Sequence, residues 1–92
     1  MIRSFRHRGL ARFFEQGTKA GIQPAHARRL RLILALLHAA KSPRDLAAPG
    51  LVLHPLRGGL AGTWAVSVNG PWRVTFRFSE GKAYEVDYVQ VH

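Results

Sequence analysis

The sequence predicts an α+β fold: a twisted antiparallel sheet of three to four strands with two N-terminal helices packed on one face. Two observations predict it. Apolar residues recur at helical spacing up to about residue 41, and from residue 63 onward they alternate with polar ones. Asn69-Gly70 and Glu80-Gly81 then divide the alternating half into three strands, as tight hairpin turns do. A chain of 92 residues has room for a single domain, spanning 1–92.

Each element has its own local reason. Met1–Phe5 is short and suits an edge strand. In His7–Gln16, Leu10, Phe13 and Phe14 fall on one helical face, and Gly17 sits where a left-handed cap stops a helix. Gly21-Ile22-Gln23-Pro24 restarts the chain, with Pro24 suited to a first helical position. The second helix runs to about Lys41 and ends before Pro43. Its stripe of Leu30, Ile33, Leu34 and Leu37, extended by Ala27 and Ala40, should lie on the sheet. Arg28, Arg31 and His38 lie opposite and should be wet. Leu32 and Leu36 fall beside the stripe, as a wide core face or as contacts for a partner.

Residues 42–62 read as irregular, broken by Pro43, Pro49, Pro55 and several glycines, with Leu51-Val52-Leu53 as a brief strand. In the sheet, the Trp64/Val66, Val74/Phe76 and Tyr84/Val86 sets should face the helices. Thr63, Ser67, Arg73, Thr75, Arg77, Glu85 and Asp87 should share the other face. A tight second turn places Arg77 near Glu85 and Arg73 diagonal to Asp87.

Charge narrows the function. The net charge is +9, from 14 basic and five acidic residues. Residues 1–31 hold Arg3, Arg6, Arg8, Arg12, Lys19, Arg28, Arg29 and Arg31 against Glu15 alone. Such a surface points to a polyanionic partner, and arginine forks onto phosphate and stacks on bases. A GC-rich genome is the other source of such arginine usage. The absence of cysteine excludes disulfides and thiolate metal sites. With no sustained apolar run after the charged N-terminus, the expected location is the cytoplasm, with no membrane contact. Leu30–Ala40 is too short to span a bilayer.

The residues that fit chemistry are His54, His92, Arg57 and Arg73. RNA is cut by its own 2′-OH when a base, an acid and phosphate-binding cations converge, and no metal or cofactor is required. His54 leads into the sheet, His92 ends the last strand, and Arg57 and Arg73 are placed to bracket a phosphate. Each also has an ordinary reading. A His before Pro is often a loop residue, and a terminal His is often frayed. Arg73 and Arg77 on an open face are often a solvated surface paired with Glu85 and Asp87. His7, His26 and His38 share no metal spacing with another ligand.

Phe5-Arg6-His7-Arg8-Gly9-Leu10, Phe13-Phe14-Glu15, Gly21-Ile22-Gln23-Pro24, Ala27-Arg28-Arg29-Leu30, Leu53-His54-Pro55-Leu56 and Trp72-Arg73-Val74-Thr75-Phe76 together resemble the HigB toxins of the RelE/ParE superfamily of type II toxin–antitoxin systems. The resemblance covers nearly the whole chain in order. It implies a RelE-like fold and a ribosome-dependent, metal-independent mRNA endonuclease that cuts the message in the decoding site and inhibits translation. The implied partners are the ribosome, mRNA and a HigA-like helix-turn-helix antitoxin.

Carried over by position, His54 and His92 match active-site histidines and Arg73 the phosphate-stabilising arginine. Arg57 falls where a basic residue is common, and Arg3, Arg6, Arg8 and Arg12 are expected to bind RNA. Such toxins often close with an acidic residue, a tyrosine and the histidine. Here Gln90 and Val91 precede His92, so cleavage is expected to be weaker, with Tyr88 and Gln90 as possible auxiliaries. Two other readings stay open: a ParE-like gyrase poison, and a degenerate toxin that only binds its antitoxin.

Overall fold

In a computed structural model, which describes residues 1–91, two helices cover one face of a four-stranded antiparallel meander. The helices are α1 (Arg8–Gln16) and α2 (Ala27–Ala39). The strands are β1 (His54–Pro55), β2 (Thr63–Asn69), β3 (Trp72–Ser79) and β4 (Lys82–Gln90), in that spatial order. The N-terminal segment adds to the edge of β4 in parallel, through Ile2 opposite Ala83 and Phe5 opposite Val86. The edge strand expected of Met1–Phe5 is therefore present as two bridges.

Both helix boundaries have local causes. His7 lies just outside α1 and caps it, its Nδ1 accepting from the Leu10 amide at 2.9 Å. Gly17 ends α1 at φ 78°, where the absence of Cβ removes the steric penalty. Pro24 opens a 3-10 turn over Pro24–His26, so the regular helix starts at Ala27, three residues later than the sequence suggests. Ala40 is already extended, which stops α2 before Lys41.

Leu10, Phe13, Leu30, Ile33, Leu34 and Leu37 from the helices meet Val66, Val74, Phe76 and Val86 from the sheet, and all are buried. Each such side chain contributes roughly 1.5–3 kcal/mol over its exposed state. Leu36 joins this core, whereas Leu32 is 50% exposed. No helix among the described residues is long and apolar enough to cross a membrane.

Three expectations change. Leu51–Leu53 is not a strand. Val52 takes φ 52°, which breaks the extended run, and pairing starts at His54. The first hairpin turns over Gly70-Pro71, because Asn69 pairs with Trp72 after a shift in register at Val68. Tyr84 does not face the helices. Glu85 sits at φ 52° in a bulge, where Arg77 pairs with Tyr84 but Thr75 pairs with Asp87. The extra residue turns Tyr84 outward and gives its core place to Ala83, which is fully buried. At the second turn Glu80 and Gly81 both have positive φ, as a tight two-residue hairpin needs.

On the core face, Tyr88 stacks on Trp72 at 4.7 Å and shares a 2.6 Å hydrogen bond with Nδ1 of the buried His26. The Gln23 amide donates to the same phenolic oxygen at 3.4 Å. Burial raises the phenol above its ordinary value of 10.0, against a smaller opposing effect of the Gln23 bond. Tyr88→Phe strands these partners and should cost about 1–3 kcal/mol in denaturant unfolding. A raised folded value means that stability is complete below the ordinary phenol value and is lost as pH rises beyond it. Wild type should therefore weaken at strongly alkaline pH, and the Phe variant should lose that part of the slope.

Candidate active site

The face of the sheet turned away from the helices carries a cleft of about 560 Å³. Its floor follows from register. His54 pairs with Ala65, Ala65 with Thr75, and Thr75 with Asp87, so these four side chains form one row across all four strands. Arg73 lies two residues to one side of this row on β3 and Arg77 two residues to the other. Ala65 and Thr75 are short, so the middle of the row is hollow. The segment after β1, through Leu56, Gly59 and Leu60, forms one wall, and Arg6 from the N-terminal segment reaches the cleft as well.

The histidine is oriented. Its Nδ1 lies 2.9 Å from the Val52 carbonyl, which only accepts, so Nδ1 carries a proton and Nε2 is left for other chemistry. The left-handed backbone of Val52 belongs to the bend that precedes this strand. Arg73 is half-buried, and its Nη1 donates to the Gly70 carbonyl at 2.6 Å and the Trp72 carbonyl at 2.9 Å. Those bonds fix the guanidinium and leave its other donors for an anion.

Arg77 donates to Thr63 Oγ1 at 3.2 Å and lies over Gly62, where a Cβ would come within 3.0 Å of Nη2. Glu85 stands 3.6 Å from Arg77 Nε and 3.8 Å from Arg6 Nη2. These pairs are substantially exposed, hence weak and displaceable by a stronger anion. Three arginines against Glu85 and Asp87 leave the cleft positive.

His54 and Arg73 thus meet in one cleft, as the sequence suggests. His92 lies outside the described residues. Val91, beside it, lines the cleft and is held by its amide to the Pro71 carbonyl at 2.7 Å. Arg57 is exposed ahead of the 3-10 turn Gly58–Leu60 and is not among the residues that line the cleft. Arg77 and Arg6 line it beside Arg73. Arg3, Arg8 and Arg12 are exposed and also lie outside the cleft.

Tyr88 does not serve the cleft. It is 4% exposed and points to the helix side, with its hydroxyl engaged by His26. Gln90 follows the same strand parity, pairs with Trp72 and is not among the cleft residues. Among the described residues, no three His, Cys, Asp or Glu side chains are grouped as metal ligands. Arg77, Glu85 and Asp87 line the cleft as well, though the sequence alone assigns them only to a solvated face. The available signal was their alternation with Arg73 and Thr75.

Residues 3–92 match the family of RelE-like toxins of the type II toxin–antitoxin system HigB. The chain is 36% identical over 92 residues to endoribonuclease HigB of Proteus vulgaris, covering the full length of both proteins. A four-stranded antiparallel sheet under two helices is the structural side of that likeness. This chain belongs to the HigB-like family of RelE-like toxins, the toxin half of a type II toxin–antitoxin pair.

Proposed function

We propose that this protein is an mRNA endonuclease that acts in the cytoplasm on ribosome-bound message, without a metal or other cofactor, and is neutralised by a HigA-like helix-turn-helix antitoxin. The observation that carries the reading is the shared cleft of His54 and Arg73, with Nε2 of the histidine directed away from its backbone anchor. Arg73 and Arg77 hold the scissile phosphate and offset the charge that grows on it as the 2′-OH attacks. His54 transfers a proton through Nε2. His92, carried over from the family resemblance, is proposed as a second imidazole at the end of the chain.

Arg3, Arg8, Arg12, Arg28 and Arg31 are all exposed and supply cationic surface outside the cleft for ribosomal RNA. Cleavage is proposed to be slower than in members that end in an acid, a tyrosine and a histidine, because Gln90 and Val91 neither accept nor donate a proton there as those residues do.

Incubation of the purified protein with a message under translation, followed by mapping of 5′ ends, tests the reading. Cuts inside the translated frame, bearing 5′-hydroxyl ends and absent from untranslated message, are expected. Ribosome binding should weaken steeply with salt, since several phosphate contacts release counterions. Intact message together with inhibited DNA supercoiling would sink the nuclease reading in favour of gyrase poisoning. Intact message and unimpaired growth would leave antitoxin binding alone.

A further inference from the structure

The two carboxylates of the cleft are not equivalent. Glu85 is engaged by Arg6 and Arg77. Asp87 makes no ion pair among the described residues, although Arg6, Arg73 and Arg77 line the same cleft. Its Oδ1 accepts from the Tyr88 amide at 2.9 Å, which fixes the side chain and leaves Oδ2 for the cleft. Asp87 also stands at the far end of the row that begins with His54. Three strand spacings separate their backbones by about 14 Å. Both residues line the one cleft, and the short side chains of Ala65 and Thr75 are its floor between them. Gln90, where the resemblance places an acid, does not line the cleft.

We propose that Asp87 is a catalytic proton acceptor, working across the bound RNA backbone from His54. The inference rests on the nuclease reading and names a residue for it. The Asp87 carboxylate takes the proton of the 2′-OH as that oxygen bonds to the adjacent phosphorus. The bond from phosphorus to the 5′-oxygen breaks, and that oxygen takes a proton from Nε2 of the His54 imidazolium. The products are a 2′,3′-cyclic phosphate and a 5′-hydroxyl. Exchange with water then removes the proton from Asp87 and restores that of His54, so no co-reactant is consumed. Arg73 and Arg77 cannot take the accepting role, because a guanidinium has no acceptor.

Asp87→Asn tests this directly. Asparagine keeps an oxygen for the Tyr88 amide, so the melting temperature and ribosome binding should match wild type. The single-turnover rate on translated message should fall by about 10²–10³-fold. Arg6, Arg73, Arg77, His54 and Glu85 are the charged or titratable groups that share the cleft, and all remain in the variant. Glu80→Gln, which removes the same charge from the turn after β3, should leave the rate unchanged. An Asp87→Asn protein that cuts as fast as wild type, or faster because a negative charge no longer repels RNA, would overturn the assignment while leaving the nuclease reading standing. A wild-type protein that cuts no message would overturn both.

Discussion

His54→Ala is expected to lower message cleavage by about 10²–10⁴-fold, the range typical of losing a positioned proton-transfer group. The side chain is only half-buried and its strand is two residues long, so the fold should survive. Arg73 gives a companion test. Its guanidinium is tied by one nitrogen to two carbonyls at 2.6 and 2.9 Å and presents the others to the cleft. Lysine carries the charge but cannot make those bonds and offer a fork at once. Arg73→Lys should therefore lose most of the rate while ribosome binding holds. Stopped or quenched time courses on translated message would read both variants. Wild-type rates in either would remove that residue from the mechanism.

Gly21→Val should produce the largest loss of stability outside the apolar core. A Cβ at Gly21 would lie 2.5 Å from Gly9 Cα, and one at Gly9 would lie 2.6 Å from the Gly21 carbonyl oxygen. The obstruction is backbone on both sides, and neither glycine has positive φ, so lack of space rather than conformational freedom sets the requirement. The first turn of α1 and the bend before α2 can pack this closely only without side chains. Forcing them apart should cost about 3 kcal/mol. For a domain of this size that is a fall in melting temperature of roughly 12–24 °C. Gly59→Ala, with nothing within 4 Å of the added carbon, is the matched control. An unchanged melting temperature for Gly21→Val would mean that the two segments do not touch in solution.

Much of this fold is legible in the sequence because its signals are local. Helical spacing in Leu30, Ile33, Leu34 and Leu37 and alternation in Trp72 through Phe78 depend on neighbours a few residues apart, and both are realised. The failures fall where a single residue changes phase. Nothing in Tyr84-Glu85-Val86 announces that Glu85 adopts a left-handed bulge, yet that residue alone moves Tyr84 out and Ala83 in. Val52 interrupts an apolar run in the same way.

The site divides along the same line. Alternation places Arg73, Thr75, Arg77, Glu85 and Asp87 on one face. Only the path of residues 54–60 and the arrival of Arg6 from the N-terminus make that face a cleft. These are long-range placements, beyond the reach of periodicity. Tyr88 shares the parity of Val86, which already turns it toward the helices. What periodicity does not give is its partners there, His26 and Trp72, contributed by two other elements.

Self-association between β proteins usually begins at a sheet margin with unsatisfied amides. Here the first residues occupy one margin, with Arg3 and Arg6 donating to the carbonyls of Ala83 and Val86 and receiving strand neighbours in return. Further along, Asp87 occupies the amide of Tyr88. The opposite margin is two residues long and ends in Pro55, which has no amide hydrogen to offer. Removing residues 1–5 would uncover most of the first margin and give a second copy a seam to zip onto, whereas keeping them in place holds that seam closed.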